Sequence, residues 1–260
     1  MPSTPNFGWP TPEDTAQVAN GPAIIRALGD AIDGTVGAGF RFAGTRYYTD
    51  AVGTFQKADP LGTGDIGLRA IRVTVVGGGG GGAGATTTGA GQVSVGDSGA
   101  GGGATVKFYL ANELDTSETV TRGAGGSGGV GAAGESGGSS SFKGLTATGG
   151  GGASIRAAAT PPEATGSAAA APGSGSGGDF NFGGQAGEKS LAVTAARVAG
   201  GTGGSAPFGG GGGRGGFVGI GAGTGTQGGG GGGHANIQNQ SDARTGGAGG
   251  NGYVQIDCFV

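Results

Sequence analysis

Residues 68–82 read LRAIRVTVVGGGGGG, and this stretch decides how the chain folds. In its first part Ile71, Val73 and Val75 alternate with polar residues, which is the period of a half-buried β-strand. Six consecutive glycines follow at once. Because glycine loses more backbone entropy on folding than any other residue, an ordered run requires compensating backbone hydrogen bonds. The stretch therefore predicts a strand that continues into a laterally bonded polyglycine segment.

The same arrangement recurs to the end of the chain. An extended helix with three residues per turn makes no internal hydrogen bonds, but without Cβ atoms several such helices can lie together and bond backbone to backbone. At about 3.1 Å per residue, a six-glycine run crosses a layer roughly 19 Å thick. We therefore predict a mainly β and irregular fold, with short strands, packed polyglycine II-type helices, and loops at the ends of the layer. The further glycine runs are 101–103, 149–152, 209–213 and 228–233, and the alternating apolar segments are Ala104–Leu110, Phe142–Thr148 and Gly252–Val260.

Disorder is the alternative for a chain in which 73 of 260 residues are glycine and 10 are proline. Disordered chains usually carry high net charge, whereas this chain has a formal net charge of −3 and only 12% charged residues. The weak charge favours a packed state and argues against a nucleic-acid surface, although Arg214–Phe217 matches a single RGG unit. No stretch approaches the roughly 20 apolar residues of a membrane span, so none is expected.

The composition divides the chain into three parts. Residues 1–37 carry helix signals, including a possible N-cap at Thr11 and an apolar stripe after Pro22. Residues 38–76 are typical of a β-rich connector, and residues 77–260 of a glycine-rich domain with a polyglycine sandwich. The N-terminal helices are interpreted as a docking or trimerising segment, with packing on their own domain as the alternative.

The sequence offers little for catalysis. His234 is the only histidine, and Cys258 alternates with apolar residues, which favours a buried thiol over a nucleophile. The stretch 187–190, GEKS, lacks the glycine that a phosphate loop needs before its lysine. The acidic residues of 113–118 indicate a solvated turn, with paired carboxylates left open. We expect no enzyme activity, no cofactor and no metal site.

Four segments resemble the glycine-rich domain found in many phage tail proteins: FQKADPLGTGDIGLRAIRVTVVGGGGGG (55–82), ATVKFYLANELDTSETVTRGAGGSGG (104–129), SSSFKGLTATGGGG (139–152) and GGAGGNGYVQIDCFV (246–260). The opening FGWPTPEDTAQVANGPAIIRALGDAID (7–33) is similar to N-terminal attachment segments of minor tail proteins in siphophages of actinobacteria. A more distant similarity is to the glycine-rich adhesins of T-even-like phages, in which polyglycine helices form a layered sandwich with receptor-binding loops.

The resemblance implies a homotrimeric component of a virion tail tip or tail fibre. Its implied partners are other phage tail proteins and a host cell-surface receptor, a glycan or surface polymer, with no nucleic acid. The residues expected to attach the chain to the virion are Phe7, Trp9, Ile25, Leu28 and Ile32.

Receptor contacts are expected from aromatic and amide side chains outside the recognisable strand patterns, because sugars offer apolar faces and hydroxyl groups. Sealing the ends of the glycine layer is the alternative role for the same side chains. Two other functions stay open, a purely structural tail spacer or decoration, and a non-viral self-associating matrix protein. The candidate receptor-binding residues are Phe180, Phe182, Phe208, Phe217, His234, Asn236, Gln238 and Asn239.

Overall fold

A computed structural model of the chain describes residues 40–161 and 170–260. Within these ranges the chain is mainly β, and helical structure is confined to the short 3₁₀ segments Ala111–Glu113 and Pro207–Gly209. The N-terminal helices expected in residues 1–37 lie outside the described residues.

The first sheet has five antiparallel strands in the order β1-β16-β3-β5-β11. Its centre is β3, the strand expected from the alternation of residues 68–76, which pairs with β16 on one side and with β5 on the other. The strands expected around residues 104–110 and 252–260 are confirmed as β5 and β16. The bounds are β1 Phe42–Tyr48, β3 Ala70–Val76, β5 Ala104–Leu110, β11 Phe180–Phe182 and β16 Tyr253–Phe259.

The second sheet also has five antiparallel strands, in the order β10-β8-β7-β6-β2. The alternating segment expected over 142–148 is not one strand but the turn and second strand of a hairpin over residues 140–147, in which β7 and β8 are joined by Lys143 and Gly144. Both turn residues have positive φ, 36° and 79°, as a two-residue hairpin turn that matches the strand twist requires. The bounds are β2 Val52–Gln56, β6 Ser117–Thr121, β7 Ser140–Phe142, β8 Leu145–Ala147 and β10 Gly175–Ser176.

The two sheets enclose the main hydrophobic core. Ile71, Val73 and Val75 of β3 are fully buried in it, so the alternation seen in the sequence is the alternation between core and outer face. Phe55 and Phe142 enter from the second sheet, with ring centroids 6.0 Å apart and a T-shaped arrangement. Cys258 lies in the same core, as the sequence indicated.

The glycine run that leaves β3 is surrounded by six segments of the same chain. Every third N–H of residues 77–85 donates to the same neighbour: Gly77, Gly80 and Ala83 donate to segment 97–103. The residue after each of these donates to segment 132–138, and the next residue donates to segment 244–250, again with a period of three. Its carbonyls accept, again with a period of three, from segments 126–129, 150–153 and 231–234. A period of three is that of the polyproline II helix, which satisfies its backbone only through neighbours.

The segments in this bundle approach too closely for any side chain. A Cβ atom added at Gly80 would lie 1.9 Å from the carbonyl oxygen of Gly151, and one added at Gly81 would lie 2.0 Å from that of Ser127. The uninterrupted glycines of residues 77–82 are therefore a packing requirement of the bundle and not a flexible linker.

A third, four-stranded sheet lies at the other end of the bundle, in the order β14-β15-β4-β9. Segment 97–103 links β4 to β5, and run 228–233 leads directly into β15, so the glycine segments connect this sheet to the first. The separate hairpin β12–β13 packs on it through a small cluster that includes Val93, Val95 and Ala192. The bounds are β4 Val93–Gly96, β9 Ile155–Ala159, β12 Leu191–Thr194, β13 Arg197–Ala199, β14 Gly216–Phe217 and β15 His234–Asn236.

The expected β-rich connector, residues 38–76, shares its hydrogen bonding with the region after it. Strand β1 pairs with β16 and β3 pairs with β5, so the first sheet joins both parts of the chain. Residue 76 therefore marks a change from strand to glycine run within one continuous hydrogen-bonded structure.

Candidate functional site

The face of the first sheet that points away from the core carries an unusual number of aromatic side chains. A sheet face in contact with water normally displays polar residues in alternation with the core. Here seven of the side chains on the outward-facing side of the sheet are aromatic, with Phe180 65% and Tyr47 61% exposed. We call this surface the outer aromatic face, and define it by Phe42, Tyr47, Phe108, Phe180, Phe182, Tyr253 and Phe259.

The rings on this face form a connected row at one end of the sheet. Phe108 contacts Phe40 and Phe259, with centroids 5.7 Å and 5.9 Å apart. Phe42 extends the row through Phe259 at 6.0 Å. The guanidinium of Arg69 lies 5.7 Å from the centroid of Phe40. Such mutual contacts hold each ring in a defined orientation while leaving part of it accessible.

A buried carboxylate organises the polar centre of the face. Asp257 accepts hydrogen bonds from Thr45 Oγ1 at 2.6 Å, from Gln255 Nε2 at 3.0 Å, and from Arg72 Nε and Nη2 at 2.9 and 2.6 Å. Burial alone would raise the pKa of Asp257, but the hydrogen bonds from Thr45, Gln255 and Arg72 together hold this pKa below its ordinary value. The carboxylate is thus kept ionised, and it fixes Arg72, whose side chain remains 56% exposed.

A cleft of about 210 Å³ opens beside this polar centre. The Tyr253 hydroxyl donates to the carbonyl of Phe208 at 3.3 Å, and Phe208 meets Phe182 edge to face at 5.2 Å. Phe208 has a φ of 60°, an unfavourable conformation for a bulky residue, which the surrounding contacts maintain. The residues that line the cleft are Arg72, Thr74, Val106, Phe208, Tyr253 and Gln255.

The structure brings three of the candidate receptor-binding residues together. Phe180 and Phe182 belong to β11, and Phe208, which lines the cleft, packs against Phe182. The expectation that these side chains lie outside strands is wrong for Phe180 and Phe182, because β11 is a short edge strand whose two phenylalanines share one face. Their exposure on that face agrees with a surface role.

The remaining candidates lie at the other end of the bundle. Phe217 is exposed in β14 and lines a cleft of about 600 Å³, together with Leu191 and Val193 of hairpin β12–β13. His234 and Asn236 lie in β15 and are buried, although the sequence indicated loop positions for them. Their burial follows from run 228–233, which carries β15 into the middle of the third sheet.

Asn236 and its neighbours hold loops together at that end. The Asn236 amide donates to the carbonyls of Thr86 at 2.9 Å and Asp242 at 3.1 Å. Gln238 accepts a hydrogen bond from the Gly91 N–H at 2.9 Å. Asn239 is exposed in the adjoining turn and has a φ of 59°. These contacts give Asn236 and Gln238 structural roles inside the chain.

Sequence reasoning missed several residues of the outer aromatic face, among them Tyr47, Phe108 and Tyr253. A signal was present, because segments 104–110 and 253–259 carry large apolar residues on both phases of the alternation. A strand with two apolar phases either lies between two packed layers or exposes one apolar face. The expected virion-attachment residues, by contrast, lie outside the described residues.

Among the described residues, no helix is long and apolar enough to cross a lipid bilayer. The chain matches the model of a family described as a glycine-rich domain over residues 49–259. No curated protein matches the chain.

Proposed function

We propose that this chain, which belongs to the glycine-rich domain family, is a non-enzymatic recognition protein of a phage virion, located in the tail tip or a tail fibre. The virion location rests on the resemblance of segments 7–33 and 55–82 to phage tail proteins. The recognition role rests on one observation above the others, the exposed outer aromatic face on a rigid glycine bundle.

The chemistry of that face suits a host glycan. Aromatic rings stack on the apolar faces of sugar rings, while fixed polar groups bind the hydroxyls. Arg72 and Tyr253 are held beside the cleft by Asp257 and by the backbone of Phe208, so they lose little freedom on binding. A cleft of about 210 Å³ suits one sugar unit of a longer polymer.

Polyglycine II-type packing provides the support for such a surface. The period of three in the hydrogen bonds of residues 77–85 favours this interpretation. Lateral hydrogen bonds to six segments leave residues 77–85 little conformational freedom. The strands that adjoin these glycine segments are therefore held in place as well. A rigid scaffold that presents its binding residues in place is the usual arrangement of a recognition protein.

Adhesion is tested with the full chain, incubated with actinobacterial cells and with polysaccharide purified from them, and measured by co-sedimentation. The double variant Phe180→Ala/Phe182→Ala is expected to lose at least tenfold in affinity. Val52→Ala is the control, because it removes an exposed apolar side chain from the second sheet, which carries none of the candidate receptor-binding residues. Equal binding by the double variant and the parent chain would contradict recognition at the outer aromatic face, and absence of binding to every host would favour a structural spacer.

The virion location is tested by immunogold electron microscopy of phage particles with antibodies against the chain. Labelling at the tail end is expected, and deletion of residues 1–37 should abolish incorporation. A trimer predicts a sedimentation mass three times the 24.0 kDa of one chain. A chain that labels no particle and assembles without a fixed size would instead be a self-associating matrix protein.

A further inference from the structure

A second, chemically different cavity lies at the opposite end of the bundle from the outer aromatic face. Its volume is about 380 Å³, and it lies between the turn around Ile220, the start of β15 and segment 243–245. Its lining side chains include one imidazole, one guanidinium and one hydroxyl, from His234, Arg244 and Thr245, and no carboxylate.

His234 is the most deeply buried of the polar side chains that line this cavity. The residue is only 4% exposed, and Nδ1 is buried without a hydrogen-bond partner among the described residues. Burial lowers the pKa of His234, and the nearby Arg244 guanidinium lowers it further, while the carbonyls of Ile220 and Ala235 partly oppose the shift. Without an anion the imidazole is therefore neutral at neutral pH, and its single N–H faces these carbonyls; an anion beside the ring would favour the imidazolium form, in which Nδ1 also donates.

Arg244 is fixed beside the imidazole by its backbone. Its N–H donates to the carbonyl of Ala85 at 2.8 Å, and its own carbonyl accepts from the Ala85 N–H at 3.1 Å. The side-chain Nε is buried and has no hydrogen-bond partner in the described part of the chain. Within residues 40–161 and 170–260 the ion pairs involve Arg72 and Lys143, and none involves Arg244.

Arg244 is half-buried and forms no ion pair among the described residues, and both its Nε and the neighbouring His234 Nδ1 are buried without a partner; an anion would compensate such a site. We propose that this cavity binds an oxyanion, through the planar guanidinium of Arg244 and the imidazole of His234. A guanidinium matches the two oxygens of a carboxylate or phosphate with two parallel hydrogen bonds. The volume admits a single acidic sugar or a phosphate group of a surface polymer.

The inference goes beyond the recognition role proposed above, because it uses none of the residues of the outer aromatic face. The two are independent, since an anion bound at Arg244 needs neither a virion nor Phe180. If the chain serves as an adhesin, the cavity gives it a second contact, for an acidic component of the same surface.

The single histidine of the chain makes the test direct. The ring resonances of His234 in the full chain are followed by NMR at pH 7 while glucuronate, inorganic phosphate or neutral glucose is added. Glucuronate or phosphate should shift these resonances saturably, and glucose should not. The stronger of the two anions distinguishes a sugar carboxylate from a phosphate as the source of the ligand.

Arg244→Gln should weaken anion binding at least tenfold, whereas Arg41→Gln, at an exposed position on the first sheet, should leave it unchanged. If Arg244→Gln proves unfolded, Arg244→Lys keeps the charge without the planar fork and should bind with intermediate affinity. Phe180→Ala should leave the anion-induced shifts of His234 unaltered. Loss of anion binding at Arg244 can therefore be distinguished from loss of recognition at the outer aromatic face. Unchanged His234 resonances with both anions, or equal binding by all Arg244 variants and the parent chain, would overturn the proposal.

Discussion

Replacing Gly80 by alanine adds one methyl group at the centre of the glycine bundle. The new Cβ would lie 1.9 Å from the Gly151 carbonyl oxygen, where ordinary contact begins at 3.4 Å. The two segments must therefore separate by about 1.5 Å, the difference of these distances. Such a shift breaks the hydrogen bonds that join these two segments, from the Gly150 N–H to the Gly78 carbonyl at 2.9 Å and from the Ala153 N–H to the Gly81 carbonyl at 3.0 Å.

The cost follows from these two effects. An unsatisfied buried backbone group costs about 1–3 kcal/mol, and forcing an extra methyl into a packed interior costs about 1–3 kcal/mol more. We therefore expect Gly80→Ala to lower the free energy of unfolding by about 2–6 kcal/mol, a large share of the roughly 5–15 kcal/mol typical of a domain. Gly221→Ala is the matched control, because a Cβ there meets no atom within 4 Å and its effect should stay within about 1 kcal/mol.

The assay is urea denaturation followed by tyrosine fluorescence, with Tyr48 and Tyr109 buried in the main core. Both variants and the parent chain are compared at one temperature and one protein concentration. If Gly80→Ala and Gly221→Ala unfold at the same urea concentration, the close packing of the central run is refuted.

Three further predictions concern the two sheets. Burial, and then the negative charge of Asp257, raise the pKa of Cys258 to about 11. At pH 8 the Cys258 thiol should therefore react with a disulfide reagent at least 100-fold more slowly in the native chain than in the urea-unfolded chain. Stoichiometric reaction of the native chain within a minute would contradict this. Asp257→Asn should lower the free energy of unfolding by about 1–3 kcal/mol at pH 7. Because the pKa of Asp257 is depressed in the folded chain, its carboxylate stabilises the fold above the ordinary pKa of 3.8 and loses this effect as the pH falls below that value. Urea titrations from pH 7 to pH 2 should therefore show the stability difference between variant and parent chain disappear. Phe142→Ala should cost about 3–5 kcal/mol in the same assay, since the side chain is fully buried, and a cost below 1 kcal/mol would show that the two sheets do not pack on it.

Local alternation was enough to predict the strands that form the main core. Segments 70–76 and 253–259 each place small or branched apolar residues at every second position, and those positions face the core. Segment 104–110 is also a strand, but there it is Tyr109, and not the phase of Val106 and Phe108, that enters the core. The single cysteine could be placed inside for the same reason, since Cys258 shares the phase of Ile256.

The arrangement of these strands could not be predicted locally. Strand β16 pairs with β1 and β3, more than 170 residues earlier in the sequence, and no residue near Tyr253 specifies either partner. The outer aromatic face was missed for a related reason. In the segment ATVKFYL the adjacent Phe108 and Tyr109 are both large and aromatic, so composition alone does not distinguish the core phase from the exposed phase.

For the glycine runs, the sequence predicts the packing but not which segments are neighbours. Their packing could be predicted from the lack of Cβ atoms, but identical glycines carry no side chains that fix which segment lies beside which. The flanking strands supply this register: β3 is paired along its whole length with β5 and β16, and run 77–82 continues from it. His234 was expected outside the strands because the sequence does not indicate that run 228–233 continues directly into a strand, β15.

Residues 77–85 form an ordered segment bonded to six neighbouring segments of the chain. Hydrogen–deuterium exchange of the native full chain, followed by mass spectrometry of a peptide that covers this run, tests this most directly. Each N–H from Gly77 to Ala85 donates to a backbone carbonyl, so all nine should exchange only through opening of the whole domain, over hours or longer. Complete exchange of the run within seconds, as in a flexible glycine linker, would contradict the account.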